Sequence, residues 1–430
     1  MEKKERRKIE MLNPKTKQRE LAYTVKIDDI LPIEGSDNCE CAVVGGWHVM
    51  TRKGTFKPGD IAVYFEIDSK LPERQWSEFL ASKHYKIKTQ KYTFGGKGNF
   101  VSQGLLMALG DFYENGGIPA CIAAIQTGWN VAKMHDLSGD EYINIPLTDE
   151  LGVIYSVIED NKRKSNVDKY SRMYQRHINL FKEHKILRTL YKYTWGKKLL
   201  FIFLGKKRDG RNWPMWVVKT DEERVQNMPF LFPGNPEKEW MVTEKIDGTS
   251  TTFTMKRLKR NKYDFYVCSR NVCFDKPDKK CYYETNVYTE MAEKYNVEEV
   301  LKNMLDIHKE FEFVTIQGET YGKSVQNRDY SIDYIDFAAF NLIFGYKDGT
   351  TKRLNPREMT EILVNTYNIP CVPILDEHFI LPETCDEMVA YADGISQLDG
   401  EMREGVVLRT LDGRESFKAV SNEFLIKYHQ

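Results

Sequence analysis

The chain has 430 residues, 41% of them apolar and 12% aromatic, and its 63 Lys and Arg balance 63 Asp and Glu. That length suits two or three domains, and no run of about 18–20 apolar residues predicts a transmembrane helix. The charged start Met1–Lys8 lacks the apolar centre of a signal peptide, and the scattered cysteines and histidines form neither a Cys-x-x-Cys pair nor a His-Glu-x-x-His motif. Reduced thiols, an intracellular location, no membrane contact and a monomer are therefore expected, and a zinc site or zinc protease is disfavoured.

Residues 1–15 read as a charged tail. Residues 16–150 read as a β-domain: Leu21–Ile27, Cys41–Val44, Trp47–Met50 and Ile61–Glu66 are strand candidates, with a turn at Lys57-Pro58-Gly59-Asp60. Short strands punctuated by Gly and Pro fit a small barrel of the OB type or a generic β-module equally well. Trp47, Tyr64 and Phe65 are either core residues or stacking platforms for bases.

The character changes over 151–212, read as a basic helical connector. Lys and Arg occur sixteen times between 161 and 211 against three carboxylates, interleaved with Tyr and Trp. Most charge runs are solvated faces, yet so one-sided a run in a neutral chain also suits phosphate contact. Residues 213–430 alternate strands and helices. Glu312–Gln317, Phe337–Ile343 and Gly405–Arg409 read as strands. Glu298–Leu305, Arg357–Tyr367 and Cys385–Leu398 read as helical. The fold class expected is α+β with antiparallel sheets.

The most informative stretch is Glu244-Lys245-Ile246-Asp247-Gly248-Thr249-Ser250, flanked by β-rich sequence. A lysine in a tight turn between strands becomes a nucleophile once its proton is removed. Free amine at neutral pH costs roughly 4–5 kcal/mol for an ordinary lysine, so the site must shift that equilibrium. Lys-x-Asp-Gly alone is weak evidence. Five downstream segments strengthen it: Val267-Cys268-Ser269-Arg270-Asn271, Ile316–Gly322 with Glu319, Asp336–Asn341 with Phe340, Arg403-Glu404-Gly405-Val406-Val407, and Ser416-Phe417-Lys418-Ala419-Val420. Each polar residue taken alone has an ordinary surface or core explanation. Their order along the chain does not.

That ordered set resembles the covalent nucleotidyltransferases, and within them the ATP-dependent RNA ligases that carry an OB domain ahead of the catalytic domain. Lys219–Asn227, upstream of the lysine, and Gly46-Trp47-His48 also resemble that group. Similar capping enzymes and DNA ligases carry an OB domain after the last lysine motif. Only twelve residues follow Lys418 here, which favours an RNA ligase.

The resemblance implies roles. Lys245 would carry AMP. Asp247, Glu319 and Glu404 would hold Mg2+ or Mn2+, in part through water. Lys418 would clamp the α-phosphate, and Arg270 would contact ribose or phosphate. Phe340 would stack on adenine beside Ile246, and the Glu244 backbone would read its edge. Lys219 and Arg224 would meet pyrophosphate or RNA, and Ser269 is a weaker candidate. Some relatives carry a second lysine where Ser416 stands, with Arg414 or Lys427 as conceivable substitutes. The expected substrates are ATP and RNA with 3′-hydroxyl and 5′-phosphate ends, with nicked duplex favoured. Loss of residues 1–150 is expected to harm nick sealing more than self-adenylation. A DNA ligase, a GTP-dependent capping enzyme and a non-catalytic RNA-binding relative remain as alternatives.

Overall fold

The computed structural model describes residues 20–94, 99–112, 143–155, 170, 184–204, 213–219, 222–274 and 286–428. The charged tail, much of the basic connector, Cys121 and Cys281 lie outside these. The six described cysteines form no disulfide.

The N-terminal domain opens with β1 (Ala22–Lys26), β2 (Asp29–Pro32), β3 (Cys39–Val44), β4 (Trp47–Arg52) and β5 (Ile61–Phe65). It continues with β6 (Ser69–Lys70), β7 (Gln90–Thr93), β8 (Asn99–Ser102) and β9 (Leu105–Ala108), and β10 (Ile154–Tyr155) returns to pair with β6. Two three-stranded sheets, β1-β5-β9 and β2-β3-β4, share a core of Tyr23, Val25, Ile27, Val44, Trp47 and Tyr64. This is the OB arrangement. Trp47, Tyr64 and Phe65 are at most 2% exposed, so all three are core residues rather than base-stacking platforms.

In the connector, the described segment forms α1 (Lys185–Tyr191) and α2 (Thr194–Leu204). The described strands of the C-terminal domain are β11 (Glu239–Lys245), β12 (Thr249–Arg257), β13 (Tyr263–Ser269), β14 (Cys273–Phe274), β15 (Phe311–Gly322), β16 (Ile335–Tyr346), β17 (Thr351–Arg353), β18 (Ile374–Ile380), β19 (Gly405–Thr410) and β20 (Ser416–Val420). They form two antiparallel sheets, β14-β13-β12-β15-β16-β17 and β18-β11-β19-β20. The helices are α3 (Val287–Lys294), α4 (Val297–Ile307), α5 (Pro356–Tyr367), α6 (Cys385–Ala392) and α7 (Asn422–Tyr428).

Helix α4 shows why the six-stranded sheet is backed on one face. Val297, Val300, Leu301, Met304 and Leu305 repeat at helical spacing and are all buried in one cluster with Phe253, Ile316 and Leu342. Each such side chain contributes roughly 1.5–3 kcal/mol by leaving water.

Helix α6 is shorter than the expected Cys385–Leu398. It stops at Ala392, where Asp393 turns extended. Arg403 then satisfies the open carbonyls, its Nε donating to Ala392 O at 3.1 Å and its Nη2 to Tyr391 O at 2.5 Å. A cation eleven residues downstream fixes this end, and helical periodicity does not register it. The freed segment delivers Ser396 and Gln397 to the Glu244 carboxylate.

Candidate active site

Lys245 ends β11 in the four-stranded sheet, and Thr249 begins β12 in the six-stranded one. The expected tight turn is therefore a crossover between sheets. Gly248 is required there for close approach: a Cβ would sit 2.3 Å from the Thr320 carbonyl oxygen and 2.9 Å from Glu319 Cγ. Asp247 is anchored by its backbone N–H, which donates to the Tyr330 hydroxyl at 2.6 Å.

Register assembles the rest. Lys245 lies opposite Gly405, and Thr243, Val407 and Lys418 form the next same-face row across β11, β19 and β20. Side chains alternate faces, so Lys245 and Lys418 share one face of the sheet. Glu404, beside Gly405, accepts from Lys245 Nζ at 2.6 Å. Glu244 projects to the opposite face, where its carboxylate accepts from Ser396 Oγ and from the Gln397 N–H at 2.8 Å. Its own N–H donates to Pro373 O at 2.9 Å.

From the six-stranded sheet come Glu319 and Phe340. Glu319 pairs with Ser250 and Ala338. Phe340 is the extra residue of a bulge, since Gln317 pairs with Asn341 but Gly318 pairs with Ala339. A bulge re-aims a side chain. Here it sets a half-buried ring against Ile246, Tyr321, Tyr330 and Val372. Arg409, which sequence reasoning missed, secures the bulge by donating to Phe340 O at 2.6 Å and reaching Glu222 at 3.3 Å.

The upstream motif divides between two places. Lys219 donates to Asn271 Oδ1 at 3.0 Å, beside exposed Arg270 on the β13–β14 hairpin. Ser269 serves that hairpin's turn, its Oγ accepting from the Val272 N–H at 3.2 Å. Arg224 instead adds a parallel bridge outside β20, opposite Lys418, and Lys418 N–H donates to Glu223 O at 2.8 Å. Its guanidinium lies 6.0 Å from the Trp47 ring centroid. Arg224 is 7% exposed, and its Nε and Nη1 have no hydrogen-bond partner among the described residues. Burying a cation with open donors is costly unless an anion fills them. Ser416 donates to Glu222, Arg414 pairs with Asp412 at 3.5 Å, and Lys427 lies over the Tyr428 ring.

The OB domain packs directly on this segment. Trp47 Nε1 donates to Asn227 Oδ1 at 2.6 Å, and Gly46 N–H donates to Gln226 O at 2.9 Å. Gly46 leaves no room for more: a Cβ would meet Cys385 Sγ at 2.5 Å and Gln226 Cα at 2.7 Å. The outer ion pairs, Lys91–Glu423 at 3.0 Å and His48–Asp386 at 3.6 Å, contribute little. Gly46→Ala is expected to push the domain off the Arg224 segment, lowering the melting temperature and slowing self-adenylation by about tenfold, since overpacking costs about 1–3 kcal/mol. Unchanged rates of AMP labelling would show the contact to be dispensable.

The electrostatics are those of a crowded acidic cage. Burial pulls the Lys245 ammonium down, but Glu404, Glu319 and Asp247 outweigh it and hold the group above its ordinary value. Burial, with repulsion from Glu404, raises Asp247. Glu319 is pushed up to about 8, chiefly by burial, against the attraction of Lys245. From its ordinary 4.5 up to about 8, the native state keeps a proton that the unfolded chain has released, so stability falls as pH rises through that window. Glu319→Gln removes this cost. Its melting temperature is expected to exceed that of the parent by about 2 °C or more at pH 8, with the gap closing towards pH 4.5. A gap that widens on acidification would contradict the assignment.

The oxygen-only set suits a hard divalent cation, and buried Glu404 Oε2 has no hydrogen-bond partner among the described residues. Among the described residues, no three acidic, thiol or imidazole groups converge closely enough to ligate one ion directly. The donors thus fit an ion that keeps part of its water shell.

Residues 238–429 match the family model described as RNA ligase, and residues 21–109 match an OB-fold domain. The RNA ligase match spans the C-terminal domain. No curated protein matches the chain in sequence. Among solved structures, Naegleria gruberi RNA ligase with pyrophosphate superposes with a TM-score of 0.65 at 25% identity, covering 96% of this chain and 99% of that one. A glutamate-to-alanine mutant of the same enzyme, with ATP and Mn, matches with a TM-score of 0.63 at 26% identity, covering 96% and 100%. Family and fold make the chain a polynucleotide ligase. Among the described residues, no helix is long and apolar enough to cross a membrane.

Proposed function

We propose that this ligase uses ATP to join 3′-hydroxyl and 5′-phosphate ends of RNA, at nicks in duplex RNA, through lysyl-AMP and RNA-adenylate intermediates. The observation that carries this reading is Lys245 at the crossing of two sheets, with three carboxylates and Lys418 on its side of the site.

In the first step the Lys245 nitrogen bonds to the α-phosphorus and the bond to pyrophosphate breaks. Nζ must first lose a proton, and Glu404 Oε1, at 2.6 Å, is the acceptor within reach. Asp247, Glu319 and Glu404 would hold Mg2+ or Mn2+ partly through water, and the ion would supply positive charge beside the phosphates. Lys418 neutralises the α-phosphate. Arg224 offers its open donors to the departing pyrophosphate. Phe340 supports adenine against Ile246, and Arg270 and Lys219 meet ribose or phosphate at the site's outer edge. The Glu244 backbone would read the edge of the base.

In the second step a 5′-phosphate oxygen of RNA attacks the same phosphorus and the lysine leaves. In the third, the 3′-hydroxyl attacks the activated 5′-phosphate and AMP departs. All three are displacements at phosphorus, for which positioning and charge neutralisation supply the catalysis.

The test compares α-labelled ATP with α-labelled GTP in the presence of Mg2+ or Mn2+, then supplies nicked duplexes with RNA or DNA on each side of the nick. Covalent labelling by ATP and sealing of the all-RNA nick are expected. Labelling by GTP alone would indicate a capping enzyme, preferred sealing of all-DNA nicks a DNA ligase, and RNA affinity without any label a non-catalytic relative.

A further inference from the structure

We infer that α1 and α2 of the connector form a docking surface for an unpaired strand of the RNA substrate, a reading that rests on the RNA-ligase assignment. The catalytic site uses none of this segment. Residues 161–211 carry sixteen Lys and Arg against three carboxylates in a chain of zero formal net charge. Between Lys185 and Leu204 there are five cations, Lys185, Arg188, Lys192, Lys197 and Lys198, and no carboxylate. A phosphate backbone complements that field.

The rings specify which kind of backbone. Tyr193 is 55% exposed and Trp195 59%, and the two stack with centroids 6.2 Å apart and planes 23° apart. Exposed adjacent rings lose the stabilisation that burial would give them. Lys198 and Leu199 follow Trp195 by three and four residues on the same helix face, and Leu199 is 41% exposed. Lys197 Nζ lies 5.0 Å from the Tyr191 ring. Aromatic faces flanked by lysines bind unstacked bases and the phosphates between them. Duplex RNA keeps its bases stacked and offers mainly backbone. A basic, apolar helix also suits an anionic membrane surface, but Leu200 is 4% exposed, so part of the apolar run is already covered by protein.

The experiment uses the full chain and two variants, Tyr193→Ala/Trp195→Ala and Lys192→Gln/Lys197→Gln/Lys198→Gln. Anisotropy of a fluorescein-labelled single-stranded RNA and of a blunt duplex of equal length is followed across a salt series. Removing the rings is expected to weaken single-strand binding at least about fivefold, with a smaller effect on duplex. Trp195→Phe should restore most of the loss in the Tyr193-intact background. Removing the three lysines should reduce the salt slope for single strands by about 2. AMP labelling should stay at the parent level in every variant. Unchanged single-strand affinity and salt slope would overturn the inference, as would loss of binding to phosphatidylserine vesicles with RNA binding intact. Failure of the parent protein to take up AMP would instead defeat the ligase reading, because the RNA affinities are measured without ATP.

Discussion

Lys245→Ala is expected to abolish covalent AMP labelling, by at least about a thousandfold, because it removes the atom that bonds to phosphorus. Lys245→Arg should fail as well, since a guanidinium keeps its proton at any accessible pH. Both variants should still seal a nick that is already adenylated, where AMP leaves without passing through the lysine. That contrast separates a missing nucleophile from a misfolded protein. The Ala variant also leaves Glu404, 8% exposed, without the ammonium it accepts from at 2.6 Å, so a lower melting temperature at neutral pH accompanies the lost label. A label of parental intensity on Lys245→Ala would sink the assignment.

Arg224→Ala is expected to slow self-adenylation by about 10²–10³-fold, the range found when a preorganised donor to a developing anion is removed. Its Nε and Nη1 are buried without partners among the described residues, and its backbone is fixed beside Lys418. Arg224→Lys should recover little, because an ammonium cannot reproduce the guanidinium fork. Sealing of pre-adenylated nicks, in which no pyrophosphate departs, should fall far less. Equal losses in both assays would place Arg224 at the RNA rather than at the leaving group.

The Trp47 contact revises the expected division of labour between the domains. Trp47 lies under Arg224 and its indole N–H holds Asn227. Removal of the OB domain is therefore expected to damage self-adenylation as well as nick sealing. The sequence marks Gly46-Trp47-His48 as a recurring feature but assigns it no contact, because its partners lie 180 residues away.

Local pattern made much of the fold legible. The buried stripe of α4 and the alternating strands announce themselves by their periods. The connector is legible as charge and aromatic content, which are sums over composition. Helix α6 was overextended because its stop is a side chain from elsewhere in the chain, Arg403. Tyr330, Arg409 and Ser396 escaped notice for the same reason: each acts through long-range hydrogen bonds that no spacing rule encodes.

By itself the sequence determined the chemistry on offer: a lysine, three carboxylates, a second lysine and an aromatic ring, on strands in a fixed order. Only the tertiary structure decided how they meet. The crossover at 246–248 sets Lys245 between two sheets, strand register turns Lys418 to the same face, and a bulge re-aims Phe340. It also sent Lys219 to the Arg270 hairpin and Arg224 to Lys418 and the OB domain. The physical reason is that strand identity depends on neighbours in the chain, whereas register and sheet packing depend on partners that can lie more than a hundred residues away.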